Sequence, residues 1–539
     1  MSVTPPVLAL RARVAAAADR GPLGDALSLD LLAGGPIARE RVATLWSDGA
    51  AVRALAEAKR GPLDPALARE LTDYHRRLGA SAASLANLER LARGEVVASV
   101  AGQQPAPLGG PLYSLHKTAS TVGLAAEVER RTGVPCVPLF WMHGEDSDFA
   151  EIRGVSVADE LLQLHDFQLP DGAHRDGQMV GGIAIEHVRA VGAQAVAAWA
   201  GLPGYARALQ LWEQSVANAR DLGEAMSALW LALFAEQGLV VVDPRLPAFR
   251  AAARPIIDRY LANADALHAA ARTAGARMEA LTGRRALNDA SLESFVFEVQ
   301  DGRRQKVAAA DARARSAAIT LSPSVALRPA VQDGVFPTVA MACGPGEIAY
   351  LMQLREVFEL VGVRAAAPAV RFGATWLPPA AVSLVEAAGG DVWEVVTHTD
   401  AVLTRVAETH VPGELQQALA AARAAVDQSL ARLADESRGF DASLPQMIES
   451  ARGKMDFQVS RLAEGVLGKA RGRLDREHPL WKRLRYVLWP GDKLQERRLA
   501  SLEPIARCGP GAVALLCELA REHAARTAEG VHEHHLLEA

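Results

Sequence analysis

Cysteine is scarce in this chain of 539 residues. There are four, Cys136, Cys343, Cys508 and Cys517, and none sits in a Cys-x-x-Cys pair. Their spacing supports neither a disulfide framework nor a zinc site, so small buried thiols are expected. Charge of one sign is lacking too: 58 Lys and Arg stand against 63 Asp and Glu, a formal charge of −5. That balance offers no bulk attraction to nucleic acid or to a membrane surface. No run of about 18 apolar residues occurs, so no segment is expected to span a bilayer. The opening "MSVTPPVLALRARVAAAADRG" carries arginines and an aspartate where a signal peptide needs an unbroken apolar stretch, and a cytoplasmic chain is expected. G-x-x-x-x-G-K-[ST] and G-x-G-x-x-G are both absent, which removes the P-loop and the common dinucleotide fingerprint.

What is present is a chain half hydrophobic and too long for one ordinary core. Residues 1–95 have the three- and four-residue apolar spacing of helices, rich in alanine. The period then changes. "VVASVAG" (96–102) is a short β-branched run closed by glycine, "STVGLAAEVERRTG" follows as a helix, and "VPCVPLFWM" (134–142) as a second strand. Strand, loop, helix and strand within about 45 residues imply a parallel crossover unit, with ligands at the carboxyl ends of the strands. Further strands are expected at "GLVVVDPR" (238–245), "FPTVAMACG" (336–344) and, as one fifth strand, "APAVRFGATWL" (367–377). Residues 151–222, irregular and polar and then helical, read as an insertion into this α/β core. So do residues 255–330, which hold a small β element around "SFVFEVQDGRRQKVA".

Residues 413–477 form two long helical stretches broken at Gly439 and Pro445. Leu415, Leu419, Val426, Leu430 and Leu433 suit one seam, and Met455, Val459, Leu462, Val466 and Leu474 the other. They read as a helical hairpin docking on a second subunit, or as two helices packed on the main body.

Four places carry candidate chemistry. "AGQQPAPLGGP" puts Gln103 and Gln104 at a strand end, before a helix whose amino end can attract an anion. His116 and Lys117 in its first turns can meet a phosphate or carboxylate; the alternative is a tight glycine turn. "WMHGEDSDFAEI" (141–152) groups His143, Glu145, Asp146, Asp148 and Glu151 after a buried strand. Such carboxylates bind an amine, hold a cation or act as a base, or else form a solvated cap. "ACGPGEIAYLMQL" (342–354) breaks a strand on Gly344 and Gly346 and offers Glu347 and Tyr350, while no partner marks Cys343 as a nucleophile. The fourth is basic: Arg452–Arg498 holds 13 Lys and Arg against six Asp and Glu. Its "YVLWPGDKLQERR" suits a nucleotide, or is a structural loop with a solvated face. "HEHH" (532–535) reads as a disordered end.

In order and spacing, "GQQ" (102–104), "GPLYSLHK" (110–117), "FWMHGEDSDFAEI" (140–152) and "GPGEIAY" (344–350) resemble the cysteine ligase family of bacillithiol biosynthesis. "YHRRLGAS" and "DKLQERR" fit as well, so the resemblance covers nearly the whole chain. One departure is Ser147, where the family's G-E-D-H-D pattern has histidine; His143 stands four residues earlier, where a small residue is usual. "GPLYSLHK" only loosely echoes the HIGH signature of class I aminoacyl-tRNA synthetases, and a KMSKS counterpart is missing.

The resemblance implies a Rossmann-like parallel-sheet core with inserted connecting segments and an α-helical coiled-coil hairpin that mediates homodimerisation. On that plan 1–95 is an N-terminal helical segment. The core comprises 96–150, 223–254 and 331–400, the insertions are 151–222 and 255–330, the hairpin is 401–477, and 478–539 returns to the core. It also implies an ATP-driven ligase joining L-cysteine to the amine of glucosaminyl malate, with a metal requirement left open. His116, Lys117, Glu145, Asp146 and Asp148 are then the expected catalytic groups. Substrate or nucleotide contacts fall to Gly102, Gln103, Gln104, Gly110, Tyr113, Trp141 and His143, and to Gly344, Gly346, Glu347 and Tyr350. Lys493, Gln495 and Arg497 are candidate second nucleotide contacts. Another carboxylate-activating nucleotidyltransferase, or a non-catalytic dimeric scaffold, are the competing readings.

Overall fold

The computed structural model describes residues 8–13, 25–378, 382, 394, 398–441, 443–477, 479–491 and 493–538. Most of 379–397, expected in the second part of the core, lies outside the described residues. Two compact units emerge, one of 1–376 with 493–539 and one of 377–492.

In the first unit the chain runs through β1 (Leu8–Arg13), then helices up to Ala92, then β2 (Val97–Gln103) and β3 (Cys136–Met142). A hairpin of β4 (Gly154–Ala158) and β5 (Leu164–Gln168) precedes β6 (Val240–Val242). The second insertion contributes β7 (Val296–Gln300), β8 (Arg303–Lys306) and β9 (Thr320–Pro323), followed by β10 (Thr338–Cys343), β11 (Ala367–Val370), β12 (Ala374–Leu377) and β13 (Glu533–Glu538). The central sheet has the order β11-β10-β2-β3-β6, every pair parallel. Successive crossovers run outward one way from β2 through β3 to β6, then return to place β10 and β11 on its other side. This is the doubly wound order, and its switch point lies between β2 and β10.

Both faces of the sheet are covered, which is why its strands are apolar without interruption. Ala98 and Val100 enter one cluster together with Leu139 and Trp141. Their alternating neighbours face the other way, Val97 and Ala101 into a second cluster and Phe140 and Met142 into a third. The crossover helix Tyr113–Thr132 is buried over most of its length. It meets helix Gly511–Ala528 so closely that a Cβ at Gly123 would lie 2.2 Å from the carbonyl oxygen of Ala520. All four cysteines are buried.

Several expectations need correction. The run 367–377 is two strands, not one: β11 closes the central sheet, whereas β12 joins the separate β1-β13-β12 sheet. The turn at Arg371–Gly373 redirects the chain between them. The histidine-rich tail is not a disordered end but β13, paired antiparallel with β1 from Leu8↔Glu538 to Arg13↔Glu533. Histidine is apolar enough when neutral to be buried there, and His534 and His535 are. The start of 151–222 is not irregular, since it holds the β4–β5 hairpin.

The second unit contains helices Thr399–Thr409, Gly413–Ser437, Leu444–Glu477 and Pro479–Leu488. The two long ones pair, tied by Arg423 to Asp456 at 2.6 Å. Of the expected seams, Leu430 and Leu474 are buried, but Leu415, Leu433, Met455 and Leu462 are exposed. Among the described residues no helix is long and apolar enough to cross a membrane.

Candidate active site

The carboxyl ends of β2, β3 and β10 open into one cleft of about 560 Å³. It is lined by Lys117, Asp146 and Glu347, so three motifs far apart in sequence share a wall. Lys117 lies one helical turn after Tyr113, which points it back to the strand it follows. Its Nζ donates to the Gly102 carbonyl (3.0 Å) and to Gln103 Oε1 (3.2 Å), and lies 2.7 Å from Glu347 Oε2. Glu347 in turn accepts from the Gly344 backbone N–H at 2.9 Å, capping its own helix. The pair spans the switch point between β2 and β10. Tyr113 supports it from below, its hydroxyl accepting from Gln103 Nε2 at 3.0 Å and its ring facing Lys117.

The acidic cluster divides by role. Gln104 Nε2 donates to Asp146 Oδ2 (3.0 Å) and Glu151 Oε2 (2.9 Å), gathering two carboxylates on one wall. Asp146 Oδ1 also takes Arg304 at 2.8 Å. Asp148 is exposed and caps the short helix Phe149–Ile152 through the Glu151 N–H. Glu145, expected to meet an ammonium group, is committed elsewhere: Oε1 accepts from Arg250 (2.9 Å) and Oε2 from Ser322 (2.8 Å). Burial raises its carboxyl above the ordinary range, and these two partners offset only part of that. His143 lines the cleft beside Trp141. Burial, then the charges of Arg328, Lys117 and Arg304, push its imidazole well below the usual value, so it is neutral. Among the described residues its buried Nε2 has no hydrogen-bond partner, and a Cβ at Gly102 would come within 2.6 Å of it. Glycine at 102 is what lets the ring sit there.

Other expected residues fall outside the cleft. His116 is wholly buried, its Nδ1 3.0 Å from Glu496 Oε2 and its ring edge against Phe372. On a helix buried on all sides, neighbouring residues point in different directions; Lys117 faces the strand ends and His116 the interior. Burial would raise the Glu496 carboxyl, but Arg371 and His116 outweigh it and hold it well below its usual range. The Gly109–Gly110 turn is a packing corner rather than a phosphate cradle. Leu112 N–H donates to the Leu499 carbonyl (2.7 Å) and Ser501 N–H to the Gly110 carbonyl (2.8 Å), which closes the helix's amino end. Among the described residues an added Cβ at Gly346 would meet no protein atom within 4 Å, and one at Gly344 none nearer than 3.6 Å, so packing within the protein does not demand glycine at either. Gln495 is buried and braces the Trp376 backbone through both ends of its amide, while Lys493 and Arg497 are exposed.

The basic wall escaped sequence reasoning. Arg304 and Lys306 on β8, Arg328 at the head of helix Arg328–Val335, and Arg250 behind Glu145 all come from the region after β6. The one available signal was "RRQK" (303–306), a dense basic run within a short strand. Four cationic and five acidic side chains line the cleft, so it presents both signs of charge. Among the described residues no group of three or more His, Cys, Asp or Glu is arranged to hold a metal ion.

Residues 46–372 match the family described as bacillithiol biosynthesis BshC, N-terminal Rossmann-like domain, and residues 374–527 match its C-terminal coiled-coil domain. The chain belongs to the BshC family. Among similar proteins, one from Koribacter versatilis is 30% identical over 84% of this chain and 87% of its own length. One from Geobacillus kaustophilus is 30% identical over 80% and 83%, and one from Salinibacter ruber 28% over 90% and 92%. All three bear the name "Putative cysteine ligase BshC". The motif residues of this BshC-family chain that meet at the switch point are those carrying the resemblance in sequence, with His116 and the diglycine turn the main exceptions.

Proposed function

We propose that this cleft joins L-cysteine to the amine of glucosaminyl malate, forming an amide, as a step of bacillithiol biosynthesis in the cytoplasm. The observation that carries this reading is the convergence of Lys117, Asp146 and Glu347 on one cleft lined by charges of both signs. Both proposed substrates carry an amine and at least one carboxylate, and such bipolar molecules suit such a cleft. In this reading Asp148 and Glu151 receive an ammonium group or take a proton from the attacking amine, and the Gln104 amide, which donates to both Glu151 and Asp146, holds Glu151. The Lys117–Glu347 pair positions the strand ends and excludes water beneath the ligand.

Condensing a carboxylate with an amine in water is unfavourable, and ATP is the activator implied by the resemblance. The cleft residues do not by themselves fit a triphosphate. Acids outnumber cations on its wall, Lys117 is neutralised by Glu347, and the nearby helix end is closed by residues 499–501. Homodimerisation through the hairpin is part of the same proposal, supported by the outward Leu415, Leu433, Met455, Phe457 and Leu462. The test is incubation of the purified protein with cysteine, glucosaminyl malate and ATP. Mass spectrometry should find the amide, with AMP or ADP released in equal amount; no product with any nucleotide rejects the reading.

A further inference from the structure

Most charges in the cleft are answered by the protein itself. Lys117 meets Glu347, Arg250 meets Glu145 and Arg304 meets Asp146. Arg328 is different. It is half-buried on the cleft wall, and among the described residues it has no carboxylate within ion-pairing distance. Its contacts are neutral oxygens: it donates to the Tyr350 hydroxyl at 2.7 Å and, more loosely, to Gln332 Oε1 at 3.4 Å. A guanidinium has five N–H donors in a planar fork, so most of this one is unspent. Withdrawing such a cation from water without a counter-charge is costly, which argues that the counter-charge arrives with a ligand. Tyr350 restrains the fork from one side. Burial raises that phenol's pKa, so it stays protonated and uncharged, and it does not answer the charge of Arg328. Burial is the main cause of the depressed His143 imidazole, and the charge of Arg328 adds to it.

We propose that Arg328, steadied by Tyr350, is the carboxylate-recognition residue of this cleft, gripping a ligand carboxylate through its fork while the ligand's amine faces Asp148 and Glu151. The inference rests on the function proposed above, which supplies two sources of that carboxylate: cysteine and the malate group.

The test compares wild-type protein with Arg328→Gln, Arg328→Lys and Tyr350→Phe. Calorimetric binding of L-cysteine and of L-malate is measured separately, alongside KM for each substrate in ligation. A charge-assisted hydrogen-bond pair of this kind is worth a loss of roughly 10- to 100-fold in affinity. Arg328→Gln should show that loss for one ligand and not the other, which names the source. Arg328→Lys should restore only part, because an ammonium cannot reproduce the fork, and Tyr350→Phe should weaken the same ligand less. Tyr350→Phe carries the test if Arg328→Gln does not fold. Unchanged affinity and KM for both ligands in all variants, or no binding of either ligand by the wild type, overturns the proposal. Binding lost in Arg328→Gln by a wild type that makes no amide would leave this subsite standing and reject the ligase reading. Ligation with binding insensitive to Arg328 does the reverse.

Discussion

The Rossmann-like unit and the helical hairpin unit are both rich in helix, yet they treat the same residue type in opposite ways. In the first, Gly123 sits where helix Tyr113–Thr132 meets helix Gly511–Ala528, and a Cβ there would lie 2.2 Å from one backbone oxygen and 2.5 Å from its carbon. In the second, Gly453, Gly465 and Gly468 lie within helix Leu444–Glu477, and a Cβ at any of them would meet nothing within 4 Å. The buried side chains differ as sharply. Tyr113–Thr132 buries residues on every face, whereas the hairpin helices bury only Leu430, Ser437, Ile448, Ala470 and Leu474. Glycine in the core is demanded by backbone contact; glycine in the hairpin only lowers helix propensity. Sequence alone presents both as glycine in an alanine-rich helix.

Four measurements test that contrast. The largest effect belongs to the Lys117–Glu347 pair at the switch point. Replacing Lys117 by Met leaves the half-buried Glu347 without its cation and should cost about 2–4 kcal/mol in denaturant unfolding. Lys117→Met with Glu347→Leu should recover much of it, while ligation stays lost. Next, Gly123→Ala should cost about 1–3 kcal/mol or more, because neither backbone can give way. Equal stability of that variant would show that the two helices are not held as described.

The third is pH dependence. His75 is wholly buried, its Nδ1 2.7 Å from the Leu71 carbonyl and its Nε2 accepting from Val241 N–H at 3.1 Å. Burial lowers its pKa to about 4. The unfolded chain, with histidine near 6.5, therefore binds more protons between those values. Stability should be full above about pH 6.5 and fall as the pH drops towards 4. His534, with burial lowering it to about 3, extends the same trend. His75→Gln should flatten the slope, and an unaltered slope would locate the titration elsewhere. The smallest effect, of opposite sign, is in the hairpin: Gly465→Ala should stabilise that unit by about 0.5–1 kcal/mol. A loss instead would mean that something packs against Gly465.

Much of the site was legible because strand ends in a parallel sheet are marked by a change of pattern. An apolar run stops on glycine and polar residues, then a helix begins. Gln103, Asp146 and Glu347 each follow such a stop, and each lies at or beside the cleft. What could not be read was which way a side chain faces on a helix covered all round. Nothing local distinguishes His116 from Lys117, although one bonds to Glu496, 380 residues away, and the other to Glu347. Nor could the diglycine turn be told from a phosphate loop, since what closes it is the chain at 499–501.

Local periodicity and composition thus determined the element types, the parallel crossover and the helical hairpin, because these depend on which residues leave water within a few turns or strands. The cleft's basic wall, the commitment of Glu145 to Arg250 and the isolation of Arg328 were decided only by tertiary structure. A charge is neutralised by whatever lies within a few ångströms in space, and in this chain that partner is often more than a hundred residues distant.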